Sequence, residues 1–377
     1  MSKPICRQLA VSLILCLAAH GAETTAKFLG ANSCASTSCH GGGDSSQNQF
    51  IIWSLKDFHS QRPFATLVTA RAKQIADTAG ISDPTTDERC TSCHAPLADV
   101  PENLRGGNFN ISEGVSCESC HGPAGHWIRS HTRTDYTRAD RTAVGLRDLA
   151  NLYVRANACV ACHQVVAEPL LQAGHPELIF ELDGQSIAEP KHWSATKNGN
   201  GAQAWFVGQA VALREMSWEL AQDKSPAENE INRWNALLWL MIRAGTIDSN
   251  LPKPPDITFR PNAENFELIQ RWSDSLAQAA AELPWTDQLS QAALDALANT
   301  SADFNATIPQ PVQARRAERL VLALDRLLTA QRNFPPGSVC DADLNQLFKL
   351  TQSAPDFDAA QFTRVLKQFA VALISPQ

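Results

Sequence analysis

The chain has 377 residues and is 44% hydrophobic, enough to bury a core, so it is not a disordered protein; its length suits two domains. Its net charge is −7, or −9 without Lys3 and Arg7, which argues against nucleic acid as a partner. An acidic surface permits steering toward a positively charged protein.

Residues 1–22 read as a secretory signal peptide: Lys3 and Arg7, the apolar run Leu9 to Ala19, then small residues at Gly21-Ala22. A run of about 11 apolar residues is too short to span a bilayer, which takes about 20. Cys16 would suit a lipoprotein if a small residue preceded it, and Leu15 is bulky. No later stretch is long and apolar enough to span. The expectation is a periplasmic or otherwise exported chain, soluble and without a membrane span once residues 1–22 are removed.

From residue 23 the chain is rich in Gly, Ser and Asn. It carries Cys34-Ala-Ser-Thr-Ser-Cys39-His40, followed at once by Gly41-Gly42-Gly43. The glycines suit either an ordinary loop or a backbone that passes close to a flat group. Phe50, Trp53 and Phe58 form an apolar patch ahead of His59. Residues 64–80 have a helical period, with Ala65, Val68, Ala72, Ile75 and Ala79 in step and Gly80 as the stop. Cys90-Thr-Ser-Cys93-His94 comes next, then a Gly- and Asn-rich loop, then Cys117-Glu-Ser-Cys120-His121. Gly122-Pro123 ends any helix there. His126 and His131 would lie about 140° apart on a helix, so they cannot both address one point. Leu146, Leu149, Leu152 and Ala156 predict a helix over 146–163 that ends on Cys159-Val-Ala-Cys162-His163. His175 precedes Pro176 and is therefore extended, and the run after it, to Leu182, suits a short strand. His192-Trp193 closes this half.

The character changes near residue 200, and no His follows His192. Ser225-Pro226-Ala-Glu228 is a capping box with Pro at the first helical position. It opens a helix with Ile231, Trp234, Leu238 and Met241 on one face and Gly245 at its end. Ile269, Trp272, Leu276, Ala279 and Leu283 form a second stripe, stopped by Pro284. Leu320, Leu324, Leu327 and Leu328 form a third, stopped by Pro335-Pro336. Phe362, Val365, Leu366, Phe369 and Leu373 form a fourth. Pro252, Pro254 and Pro255 mark a linker. The fold class is therefore mainly α. A domain over 23–200 has little regular structure beyond short helices, and a helical bundle follows over 201–377.

The three C-x-x-C-H pentapeptides carry the attachment signature of c-type haem, and C-x4-C-H is a longer relative. In such a motif two thiols form thioethers to the porphyrin and the following His binds the iron from below. Zinc ribbons and redox dithiols also use C-x-x-C, but neither needs a His directly after the second Cys. With 10 His in 377 residues, four such coincidences have a joint chance of roughly one in a million. Four covalent haems follow. Their thioether cysteines are Cys34, Cys39, Cys90, Cys93, Cys117, Cys120, Cys159 and Cys162, and their proximal ligands are His40, His94, His121 and His163. Of the 11 Cys, Cys6 and Cys16 leave with the signal and only Cys340 stands outside the motifs. An exported chain usually shows structural disulfides; here no pair remains to make one, so Cys340 reads as a buried thiol.

A second axial ligand per haem must come from elsewhere. His59, His126, His131, His175 and His192 are five candidates for four irons. The other common ligand is Met, and Met216 and Met241 both sit in the helical half. Mostly bis-His, low-potential haems follow. We take His59, His131, His175 and His192 as distal ligands and leave His126, five residues past His121 on a Gly-Pro turn, as a propionate or outer partner; the count itself keeps His126 open.

These residues resemble the multihaem c-type cytochromes related to the tetrahaem electron carrier of ammonia oxidation. The likeness rests on the four motifs, on Gly114-Val-Ser-Cys117-Glu-Ser-Cys120-His121-Gly-Pro, on Ala173-Gly174-His175-Pro176 and on His192-Trp193, and covers about residues 30–195. It implies closely packed haem pairs, mostly bis-His, that pass electrons between periplasmic partners, and by position it gives the same proximal and distal sets. The longer spacing of the first motif departs from the simplest pattern. So does the helical half, about which the resemblance says nothing. One member type has a five-coordinate haem open to a small ligand. Hydroxylamine-oxidising relatives need a Tyr cross-linked to a haem, and this chain has only Tyr136 and Tyr153.

Three functions compete on these observations. The first is an electron carrier between redox proteins. The second is a haem enzyme acting on a small nitrogen or sulfur species at an iron without a distal His. The third is a haem subunit of a respiratory complex that docks through the helical half. The ligand count and the absence of a catalytic set favour the carrier.

Overall fold

The computed structural model describes residues 25–193, 200–256, 261–305, 307–331, 339–352 and 356–374. Residues 1–22, expected to be a signal peptide, and Pro335-Pro336 lie outside them. The described chain is mainly α, with no named strand and two isolated β-bridges, Phe28 to Arg105 and Ser60 to Gly114.

The first half, up to Trp193, is built of short helices separated by turns. Three of them carry the C-x-x-C-H motifs: Glu88–His94, Cys117–His121 and Leu152–His163. A helix puts residues i, i+3 and i+4 on one face, so both thiols and the imidazole point the same way. Each start is fixed locally. Asp87 accepts the Arg89 N–H at 3.0 Å, the Ser116 N–H donates to Ser119 Oγ at 3.2 Å, and Asn151 accepts from Tyr153 and Val154 at 2.9 and 3.2 Å. The first motif is different. Cys34 ends a 3-10 turn, Ala31–Cys34, and the inserted residues fold so that the His40 N–H donates to Cys34 O at 3.3 Å. A Cβ on Gly41 or Gly42 would lie 2.0 Å from Ala35 O or 2.7 Å from Thr37 O. Those two glycines let the chain cross its own loop.

Several local expectations are corrected. The helix over 64–80 is two helices, Arg62–Leu67 and Ala70–Thr78. Thr69 breaks it, because its side chain caps the second by accepting from Ala72 N at 3.2 Å. The buried residues there are Leu67 and Ala76, and Val68 is 70% exposed. The helix of the fourth motif begins at Leu152, where Asn151 caps it, and not at 146. The run after Pro176 is not a strand, since nothing pairs with it; it leads into the helix Leu182–Ala188. Ser225 is not the cap of its helix, which is Glu228–Ala244; there Glu230 reaches back to the Ala227 N–H at 3.0 Å.

The second half is a bundle of seven helices among the described residues. Its axis is Gly201–Gln222, buried on nearly every side from Ala202 to Leu213. Around it lie Glu228–Ala244, Ala263–Glu282, Asp287–Ala298, Gln310–Ala330, Val339–Thr351 and Ala359–Ile374. The stripes read from sequence are core: Trp234, Leu238, Met241, Ile269, Leu276, Leu320, Leu324, Phe362 and Phe369 are all buried. Cys340 is buried too. The core continues past residue 200, because Ala156, Val160, Phe180 and Leu182 of the first half pack into it. Gln209 on the axial helix donates to Phe180 O at 2.7 Å. Gly208 allows the close approach beside it, since a Cβ there would lie 2.8 Å from Leu182 Cβ. We expect Gly208→Val to destabilise the protein by about 1–3 kcal/mol through overpacking at that contact, measured by urea unfolding.

Candidate haem-binding site

The motif helices, the first-motif loop and one wall of the bundle enclose a single cavity of about 3350 Å³, several times the roughly 300–1,000 Å³ usual for one small-molecule ligand. All eight motif cysteines line it, as do His40, His59, His94, His121, His131, His163, His175 and His192. His126 does not, and it is exposed. Met216 and Met241 do not line it either. The bundle contributes Gln203, Glu215, Trp218, Glu219 and Trp285 to the wall.

The histidines face one another in pairs, one from a motif with one from outside. Ring centres are 6.2 Å apart for His40 and His131, 6.1 Å for His163 and His59 and 6.4 Å for His94 and His175. An imidazole nitrogen sits about 2.0–2.1 Å from a bound metal such as zinc and its ring centre about 1.1–1.2 Å further, so two imidazoles on opposite sides of one ion have centres about 6.2–6.6 Å apart. The fourth motif-type histidine, His121, has His192 as the foremost charged group acting on it.

Six of the eight rings have Nδ1 at an oxygen. His40 meets Gln49 Oε1 at 2.9 Å, His94 meets Pro63 O at 2.9 Å and His131 meets Trp127 O at 3.2 Å. His175 meets Pro176 O at 2.9 Å, His192 meets Pro190 O at 3.3 Å and His59 meets Asp57 Oδ1 at 3.0 Å. Such a partner fixes the tautomer and leaves Nε2 as the ligating atom. Burial holds His94 and His163 below the usual imidazole range and pushes His121 down to about 4, with His192 and His40 adding to it. Those three rings are therefore neutral, the form that binds a metal, whereas the hydrogen bond to Asp57 raises His59.

The lining also has polar atoms without a partner among the described residues: the Trp127 indole N–H, Ser116 Oγ, Asp183 Oδ1 and Gln185 Oε1. Buried polar atoms left unpaired are rare, so they suit a cavity that receives a group. Arg71, Arg147 and Arg155 line it as well and offer the donors that carboxylates such as propionates require. The thiols stand for the sulfurs that thioether formation would use. Cys117 is the foremost influence on the Cys34 thiol, and Cys162 Sγ donates to Ser92 O at 3.8 Å, so motifs far apart in the chain come close at their sulfurs. This donor set fits covalently attached haem.

Residues 33–122 match the family described as cytochrome c554 and c-prime. The match covers the first three motifs and bears out the resemblance to multihaem c-type cytochromes. Haem c, bound covalently, is the cofactor this implies, and electron transfer is the activity it supports. No curated protein and no solved structure matches the chain. Among the described residues no helix is long and apolar enough to cross a membrane.

Two carboxylates that sequence reasoning did not single out hold the first and third motifs together. Glu118, inside Cys117-Glu-Ser-Cys120, is 1% exposed. It accepts from the backbone N–H groups of Leu29, Gly30 and Ala124 at 2.9, 2.7 and 2.7 Å. Glu113 accepts from Ala31 N at 3.1 Å. A buried residue between two motif cysteines was the available signal. We expect Glu118→Gln to cost about 1–3 kcal/mol, the penalty for buried donors left unpaired, and to expose the segment before Cys34 to protease. Limited proteolysis beside denaturant unfolding checks both.

In the bundle wall, burial with Glu230 and Glu215 pushes Glu219 up to about 7, against the pull of Arg233. The folded protein holds this proton more tightly than the unfolded chain. Its stabilising contribution is therefore full below the ordinary carboxylate range and is lost as pH rises through about 7. Glu219→Gln should flatten the decline of the urea midpoint between about pH 5 and 8.

Proposed function

We propose that the chain is an exported tetrahaem c-type cytochrome that passes electrons between redox proteins in the periplasm. The observation that carries this reading is the pairing of a motif-type histidine with an outside histidine across the cavity, at the separation two axial ligands of one metal require. His40 with His131, His94 with His175, His163 with His59 and His121 with His192 would hold four haems. The eight motif cysteines would tether them. Haem supplies a one-electron iron couple in each position. The chain holds the groups close, fixes their axial ligands and excludes methionine from them, and those are the levers that set potential.

The sulfur contacts support an order for the four sites. Cys117 is the foremost influence on Cys34, Cys159 is the largest charged influence on Cys120, and Cys162 Sγ donates to Ser92 O at 3.8 Å. The motifs then run first, third, fourth, second through the cavity, so each site has a neighbour to exchange electrons with. A haem domain over 23–200 and a bundle over 201–377 that shares its core and walls its cavity are part of the same reading. A five-coordinate iron would need a motif histidine without an opposing ring, and His40, His94 and His163 each have one. Cleavage after residue 22 agrees with covalent haem attachment, which in bacteria is extracytoplasmic.

We expect a pyridine haemochrome assay and the intact mass to give four covalent haems per chain. Electron paramagnetic resonance of the oxidised protein should show low-spin iron only. His40 and His131 are 21° from parallel, while the rings of His59 with His163 and of His94 with His175 cross at 87° and 81°. Rhombic and highly anisotropic low-spin signals should therefore both appear. His175→Ala should convert one haem to high spin and leave four attached. Zinc in place of iron, or disulfides Cys34–Cys117 and Cys93–Cys162 in place of porphyrin, would overturn the reading.

A further inference from the structure

We propose that Asp57 gives the haem held between His163 and His59 the lowest reduction potential of the four, by placing a fixed negative charge on the Nδ1 hydrogen of His59. The inference rests on the tetrahaem reading above.

Six of the eight paired histidines have an oxygen at Nδ1, and five of those oxygens are neutral: the Gln49 side-chain amide and the backbone carbonyls of Pro63, Trp127, Pro176 and Pro190. Only His59 has a carboxylate at hydrogen-bond distance. Asp57 is 5% exposed, and its Oδ1 accepts from both the backbone N–H and the Nδ1 of His59, at 2.9 and 3.0 Å. Its place is fixed by the backbone. Asp57 ends the helix Gln49–Lys56, its N–H donates to Trp53 O at 3.3 Å, and its own carbonyl accepts from Ser60 N at 3.3 Å. Two N–H donors of His59 converge on that one oxygen, the arrangement that suits a charged carboxylate. Glu189 is the other acid nearby. Its oxygen, an Asp57 oxygen and a His192 nitrogen lie within 4.8 Å of one another. Glu189 Oε1 is 3.9 Å from His192 Nδ1, too far for a hydrogen bond, so His192 meets that charge through space only.

A carboxylate on the outer N–H of a ligating histidine makes the ligating nitrogen a stronger donor. That favours the oxidised iron, which carries one more positive charge than the reduced iron. Burial keeps solvent and salt from screening the effect. In the step concerned, one electron from the donor protein reduces iron(III) to iron(II); no bond breaks and the Nδ1 proton stays on His59. In the order argued above this site is internal, between the third- and second-motif haems. Electrons crossing the protein then climb to it and descend from it.

The test is a redox titration of the holoprotein followed by visible absorption and electron paramagnetic resonance. It uses wild type, Asp57→Asn, Asp57→Glu and His59→Ala. In wild type the lowest midpoint should belong to the low-spin signal that His59→Ala removes. In Asp57→Asn that midpoint should rise, with at least a tenfold change in the one-electron equilibrium constant, about 59 mV. The His121–His192 site should rise by less, since His192 meets the same charge through space, and the other two should stay. Asp57→Glu, which keeps the charge, should restore the wild-type value. A lowest midpoint on another haem in wild type overturns the inference, whatever the variants do. So does an unmoved midpoint in Asp57→Asn with four low-spin haems present, or an equal shift in Asn and Glu. Fewer than four haems, or high-spin iron in wild type, would instead remove the tetrahaem reading and this inference with it.

Discussion

Two imidazoles must be held about 6 Å apart with nothing of the protein between them, and this must be done several times in one cavity. A chain left to itself closes such gaps, because burying apolar surface is favourable. The first half is poorly equipped to resist. Its own buried apolar cluster is Ala76, Ile81 and Leu170, and its helices are short. Where the side chains of an ordinary domain would meet, there is the cavity. On the proposed reading haem groups would be the core of this half, and the protein around them a frame.

The frame is braced from outside. The helix that carries Cys159, Cys162 and His163 has its other face, Ala156 and Val160, in the bundle core. Tyr153 on the same helix donates to Asp274 of the bundle at 2.7 Å, and Arg214 on the axial helix bonds both Asn157 and Asp274. The first and third motifs lack that support and are tied by Glu118 and Glu113 instead. The bundle thus has a physical role that its stripes alone did not reveal: it keeps one wall of the cavity at a fixed distance.

What was legible in the sequence follows from how local each signal is. Covalent attachment is written in five adjacent residues, and helical spacing makes that pattern work without knowledge of the fold. The distal set came from counting histidines against irons, but which histidine faces which is a tertiary fact, and no spacing encodes that His40 meets His131 and not the nearer His59. Periodicity found the helices with one wet face and missed Gly201–Gln222, because a helix buried all round shows no stripe. Residues 64–80 carry a good helical period, yet Thr69 offers its own oxygen to the backbone and divides them. The extended run after Pro176 has strand-like residues and no neighbour to pair with, which a single segment cannot report.

Half-buried charge between the halves completes the bracing. Arg233 lies 3.6 Å from Glu168 and from Glu177, Arg315 bonds Glu177 at 3.1 Å, and Arg326 bonds Glu181 at 2.9 Å. The acids all belong to the segment that follows the fourth motif and carries His175, and the arginines all belong to bundle helices. Ion pairs taken out of water return little net stability, since desolvation offsets their attraction. Their strength is in discriminating between positions. A slip of that segment by one residue would leave half-buried charges unpaired. An apolar contact could slide at far smaller cost, and would carry His175 with it. A histidine that stands opposite His94 with ring centres 6.4 Å apart is better registered by charge than by oil.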